Sequence, residues 1–283
     1  MSKYRNLFLS VCLISSVKAL EAQTQDSTLN SAGVFEKMYA GGIRAASWYD
    51  VPIAAVDVSE LLLVSSNSPG KPIKLPPTAF DKSFQPHVGV HGWQTAIAHV
   101  DEAGAAAFLG SRLLVNLGAD LLGGNVTSED YYRTFWFYKS IVYTYSLALL
   151  TKNIVFRRRP DGSGNESFFS GHSSTAFCTA SYLSLELNDW YERWEFTKTN
   201  EPLRLTFKIG SDVALYAGAT YVAYARMHDE KHYFSDVGVG AVVGTVVGTL
   251  MYRWHCRNES LTNEGLSFFV ANKTPMMFYV LRF

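Results

Sequence analysis

The 283-residue chain carries 25 Lys+Arg against 25 Asp+Glu, so it lacks the basic surplus expected of a nucleic-acid binder. Charged residues make up 18% and hydrophobic ones 48%, which excludes an intrinsically disordered chain. The length suits one large domain or two small ones, and a mean hydropathy near zero lies between a water-soluble enzyme and a bundle of many membrane helices.

The N-terminus reads as an export signal over residues 1–22. Lys3 and Arg5 precede an apolar run from Leu7 to Val17, and Ala19-Leu20-Glu21-Ala22 supplies the small-residue cleavage pattern. The run is too short to span a bilayer and ends at Lys18; an N-terminal anchor helix is the alternative. Cleavage would remove three cations and one acid, leaving a slightly acidic chain. Cys12 lies inside this signal. Cys178 and Cys256 fall in apolar helical stretches and read as packed thiols, not as a disulfide framework or a metal site.

Residues 23–85 form a variable segment. Pro69, Gly70, Pro72, Pro76 and Pro77 mark a loop, with a short strand expected at Ser59–Ser65. A helical core is expected over 86–258, with helices near 93–123, 129–157, 172–188, 204–227 and 231–255. Thr127-Ser128-Glu129-Asp130 offers a hydroxyl cap and first-turn acids to the second of these. The last contains Gly240, Gly244 and Gly248 four apart, a spacing that lets helices approach closely. Its charge-free run, Val237–Tyr252, is shorter than a usual bilayer crossing, and Arg112, Asp120, Lys139 and Lys152 interrupt the others. The pattern suits a helical bundle that is more buried core than lipid-exposed spans. Over 259–283 the period changes: Leu266–Ala271 and Met276–Phe283, separated by Asn-Lys-Thr-Pro, read as a β-hairpin. The fold class is therefore all-α with a small C-terminal β-hairpin.

Three clusters carry chemistry. In the first, Lys152 and Arg159 lie seven apart, two helical turns, and Pro160 stops the helix; an ordinary basic helix end is the alternative. In the second, Ser170-Gly171-His172 opens a helix whose free N–H groups suit an anion, with a histidine placed to donate a proton; a capped helix with a surface histidine is the alternative. In the third, Arg226 precedes His232 and Asp236, which are one helical turn apart, so the carboxylate can orient the imidazole. His228, His232 and Asp236 are also spaced like metal ligands, and His228-Asp-Glu-Lys-His232 nearly matches the zinc-protease pattern. That match fails because Asp229 stands where Glu is required.

In this order the clusters resemble the type 2 phosphatidic acid phosphatase and vanadium haloperoxidase superfamily over roughly residues 90–255. Its pattern is Lys-x6-Arg-Pro, Pro-Ser-Gly-His, then Ser-Arg-x5-His-x3-Asp. Lys152 to Pro160 matches the first. Phe169 replaces the leading Pro of the second, and Ala225 the Ser of the third.

The resemblance implies that Lys152, Arg159 and Arg226 hold phosphoryl oxygens, assisted by Ser170 and the Gly171 N–H. It implies His232 as the nucleophile that forms a phosphohistidine, Asp236 as its orienting partner, and His172 as the acid that protonates the leaving oxygen and then activates water. No metal and no cofactor are expected, and the pH profile should be bell-shaped, because His232 must be neutral while His172 is protonated. The implied substrate is a phosphate monoester or diphosphate, foremost of a lipid, met in the periplasm or at a membrane with the active site on the non-cytoplasmic side. The competing expectations are an acid phosphatase acting on soluble phosphomonoesters and a haloperoxidase that holds vanadate in the same residues.

Overall fold

The computed structural model describes residues 33–47, 50–55, 73–90, 103–122, 126–260, 265–271 and 274–280. The export signal, Cys12 and the strand expected at 59–65 lie outside them. The described chain is helical apart from two small sheets, in agreement with the expected all-α class.

The chain divides into two compact units. The first takes 1–55, 110–136 and 253–283. In it α1 (Val34–Ala45) lies against the start of α4 (Ser128–Ile154). A Cβ on Gly41 would come within 2.7 Å of Ser128 O and Tyr132 N, so the two backbones touch. Arg44 pairs with Glu129 at 2.8 Å and lies over the Tyr132 ring. Lys37 pairs with Asp120 of α3 (Ala103–Leu121) at 2.9 Å. The C-terminal hairpin joins Gly265–Ala271 to Thr274–Val280 as antiparallel strands with Gly265 opposite Val280, close to the expected limits.

The second unit takes 56–109 and 137–252 and contains all three motif clusters. A helix not expected from the sequence, α2 (Ala79–Val88), opens on a capping box: Asp81 N donates to Thr78 Oγ1 at 3.0 Å, and Thr78 N donates to the Asp81 carboxylate at 2.9 Å. It follows β1 (Ile73–Lys74), which pairs in parallel with β2 (Val155–Phe156) just after α4. α5 (Gly171–Arg193), α7 (Glu201–His228) and α8 (Phe234–Ser260) form the bundle, with short α6 (Glu195–Lys198) between the first two. Ala223, Met227 and Val237 form a buried cluster with Phe84, Val88 and Phe177 packed on it, so α2, α5, α7 and α8 share one core.

Two expected boundaries move, and both changes matter for the site. α4 ends at Ile154, because Val155 and Phe156 leave the helix to pair with β1. Lys152 and Arg159 are therefore not on one helix face. α8 begins at Phe234, so His232 precedes it: Lys231 N and His232 N turn back onto Arg226 O, Glu230 adopts φ 56°, and the Asp236 carboxylate accepts Tyr233 N at 2.9 Å. The metal-ligand spacing of His228, His232 and Asp236 fails for the same reason, since α7 stops at His228. Among the described residues no group of three His, Cys, Asp or Glu converges as a metal site.

The glycine spacing on α8 is used as expected. A Cβ would meet Ser170 O at 2.7 Å from Gly240, Ser174 O at 2.0 Å from Gly244, and Ser181 Oγ at 2.2 Å from Gly248. The α5 and α8 backbones are thus in contact along three turns. Gly238 has nothing within 4 Å of its Cβ position. Gly244→Ala should therefore lower stability by about 1–3 kcal/mol, the usual cost of overpacking. Gly238→Ala should raise it by up to about 1 kcal/mol through helix propensity. Thermal melts of the two variants check both signs.

Candidate active site

The site is built where α4, the 157–169 loop, α5, the α7 end and the α8 start meet within the second unit. The loop is held as a narrow turn: Arg157 N donates to Asn165 O, Arg159 N to Gly164 O and Ser167 N to Arg157 O. This turn brings Arg159 to the site in place of the helical spacing that the sequence suggested.

Ser170 caps α5. Its Oγ accepts Ser173 N at 3.4 Å, and its own N–H donates to Asp236 O at 3.1 Å, which ties the helix start to motif three. Gly171 follows, and a Cβ there would lie 3.8 Å from Lys152 Nζ, so the ammonium sits beside the α5 N-terminus. His172 is half-buried in the first turn of α5. Arg226 is buried in the last turn of α7. Among the described residues, Arg159 Nε is buried without a hydrogen-bond partner, a donor that an anion's oxygen would satisfy.

His232 is 2% exposed. Its Nδ1 lies 2.6 Å from Ser167 O. A carbonyl oxygen can only accept, so Nδ1 carries the proton and the neutral ring keeps its lone pair on Nε2. Burial, followed by the charges of Lys152, Arg226 and Arg159, pushes the imidazole well below its ordinary value of 6.5, against the opposing bond to Ser167. The three cations and the histidine expected from the sequence are therefore gathered at one place.

Asp236 is placed differently from the sequence expectation. Among the described residues, the Nδ1 partner is the Ser167 carbonyl, not this carboxylate. Asp236 instead accepts Ser167 Oγ–H at 2.5 Å, Arg157 Nη1–H at 2.5 Å and Tyr233 N–H at 2.9 Å. It reaches the imidazole one residue removed, through Ser167. Sequence reasoning missed Arg157, Ser167, Ser235 and Asp81. Arg157 stands inside the Lys-x6-Arg-Pro stretch as an unassigned position, and the only sequence signal for Asp81 is its capping-box spacing from Thr78.

Comparison with known proteins finds matches over this part of the chain. The family model described as the PAP2 superfamily matches residues 130–260. The match takes in all three motif clusters and most of α4. Over 99 residues the chain is 34% identical to a lipid A 1-phosphatase of Porphyromonas gingivalis, covering 34% of this chain and 18% of that protein. It is 35% identical over 88 residues to phospholipid phosphatase 2 of Bos taurus, covering 31% and 28%. It is 33% identical over 90 residues to lipid phosphate phosphatase 1 of Arabidopsis thaliana, covering 32% and 26%. The chain thus spans less than a third of the length of these relatives. No solved structure matches it. The matched segment lies C-terminal to α2, so Asp81 is outside it.

The lowered His232 value has a defined consequence for stability. Above pH 6.5 the ring is neutral in both folded and unfolded chains and contributes no pH dependence. Below it the unfolded chain takes up a proton that the folded chain refuses, so stability falls as pH falls. His232→Gln should flatten this slope between about pH 6.5 and 5, as read by denaturant melts. The His232 ring resonances should show no titration between about pH 6 and 8; a midpoint near 6.5 would contradict the placement of the three cations around the ring.

Proposed function

We propose that the chain is a metal-independent phosphatase that hydrolyses phosphate monoesters or diphosphates of lipids through a phosphohistidine on His232. The observation that carries this reading is the state of that imidazole: Nδ1–H donated to Ser167 O, the ring kept neutral, and the remaining lone pair set among Lys152, Arg159 and Arg226. A neutral nucleophile surrounded by fixed cations is what phosphoryl transfer asks of a protein, because the chemistry is largely positioning and charge stabilisation.

In the reaction, Nε2 attacks phosphorus and forms the N–P bond as the ester P–O bond breaks. The leaving oxygen takes its proton from His172. Water then attacks the phosphohistidine, giving a proton to the now neutral His172. The N–P bond breaks, phosphate departs, and both rings return to their starting states. The Gly171 N–H and Ser170 assist the three cations in holding the phosphoryl oxygens at the α5 N-terminus.

The lipid assignment draws support from the relatives' names and from apolar surface. One described helix, Phe234–Cys256, is long and apolar enough to cross a membrane by length and composition. Val242, Val246 and Leu250 on α8, and Ile209 and Val213 on α7, are exposed. Such unpartnered apolar faces mark sites of protein or membrane contact. Together with the export signal read in residues 1–22, this supports an active site at a membrane surface on the non-cytoplasmic side.

The test is an assay of the purified chain against a lipid phosphate in mixed micelles and a soluble aryl phosphate. Turnover should favour the lipid, survive chelators and be inhibited competitively by vanadate. His232→Ala should lose about a thousandfold or more, as expected for a nucleophile. Acid-labile labelled enzyme should be trapped from the wild type alone. Activity lost on chelation and restored by zinc would overturn the mechanism. Preference for the aryl phosphate would favour a soluble acid phosphatase, and halide oxidation with vanadate and peroxide a haloperoxidase.

A further inference from the structure

The strongest unassigned feature is a buried charged chain that leads from α2 to the nucleophile. Arg157 Nη2–H donates to Asp81 Oδ2 at 2.5 Å, and its Nη1–H donates to Asp236 Oδ1 at 2.5 Å and to Ser235 Oγ at 2.8 Å. Asp236 Oδ2 accepts Ser167 Oγ–H at 2.5 Å, and Ser167 O accepts the His232 Nδ1 proton. Asp81, Ser167 and Asp236 have no exposed surface, and Arg157 is buried with them.

We propose that Asp81, outside the three motifs, is a positioning residue for the nucleophile: through Arg157, Asp236 and Ser167 it fixes the carbonyl that keeps the His232 proton on Nδ1. The inference rests on the reading of His232 as nucleophile, and it adds a fourth segment, α2, to the catalytic machinery.

Two physical points set Asp81 apart from an ordinary staple. First, α2 is already docked on the nucleophile loop without it: Gln85 Nε2–H donates to Met227 O at 3.0 Å and Val90 N–H to His228 O at 3.0 Å. Burying two carboxylates and a guanidinium in addition is costly and is a weak route to stability. Second, the guanidinium is a planar fork with fixed donor directions. One arm on Asp81 and the other on Asp236 leave it a single orientation, and the Asp236 carboxylate then has one oxygen for Arg157 and the other for Ser167. Without Asp81 only the Nη1 arm of the fork stays anchored, on Asp236 and Ser235, and the Asp236–Ser167 contact loses its fixed geometry.

Asp81 is also held as an anion. Burial raises its carboxyl, but bonds from Ser235 and Thr78 outweigh this and bring it to about 2. Its described partners are Thr78, Ser235 and Arg157, none of them in the phosphate cradle. Binding of an oxyanion should therefore be insensitive to Asp81, while attack by His232 should depend on it.

The experiment uses the full chain with the same two substrates and reads kcat, KM, the vanadate inhibition constant and the melting temperature. Asp81→Asn keeps the shape and removes the charge. Its kcat should fall by about tenfold or more, comparable to the loss of an imidazole's outer partner at metal sites. KM and vanadate inhibition should stay within about twofold, since the cradle is untouched. Ser235→Ala, which removes the hydroxyl bonded to both Arg157 and Asp81, should show the same split in smaller size and covers the case in which Asp81→Asn fails to fold. Nitrogen chemical shifts of labelled histidine should show the His232 proton less confined to Nδ1 in either variant. A folded Asp81→Asn chain with wild-type kcat would falsify the proposal, as would Ser235→Ala altering only the melting temperature. A wild-type chain that turns over no phosphate ester, or whose His232→Ala variant stays active, would instead sink the underlying reading of the site.

Discussion

The site depends first on the close approach of α5 and α8. Side chains at Gly240, Gly244 and Gly248 would overlap α5 atoms from Ser170 to Ser181, so hydrogen at these positions is the condition for backbone contact. That contact sets the register of two helix starts. Ser170 N–H reaches Asp236 O and Ser173 Oγ reaches Val237 O at 2.7 Å, which brings the N-terminal end of α5 beside the segment that carries His232. A slip of either helix by one residue would turn these groups away by about 100°, given 3.6 residues per turn.

Around this frame the charges separate by role. Burial first, and then the charges of Lys152, Arg226 and Arg159, push the imidazole well below its ordinary value. The negative charge of Asp236 and Asp81 is taken up by Arg157, and it meets the imidazole only through Ser167. A carboxylate bonded directly to the ring would raise its basicity and oppose the cations. A carbonyl acceptor fixes the tautomer with a smaller effect on basicity. The arrangement thus supplies an imidazole that is oriented and still neutral, in a chain whose overall charge is zero.

Much of this was legible in the sequence. Residue types and their order identified the three clusters, and the helices over 171–193 and 201–228 contain the expected spans. The glycine spacing announced close packing, and the alternation after residue 265 announced the hairpin. Of the two helices missed in the variable segment, α1 and α2, the second directly follows the prolines that read as loop. Its apolar residues Phe80, Phe84 and Val88 have helical spacing, yet Pro86 falls within it and the pattern is short.

The sequence by itself determined which chemical groups are present, that cations and histidines recur in a fixed order, and that a helical bundle carries them. Only the tertiary structure decided which group touches which. Arg159 arrives by a tight turn because α4 yields to a strand pairing at Val155. Asp236 serves Ser167 and Arg157 because the chain reverses at Glu230, before α8 begins. Both outcomes follow from backbone hydrogen bonds between segments far apart in the chain, Leu75 N–H to Phe156 O and Ser170 N–H to Asp236 O, which local periodicity does not encode.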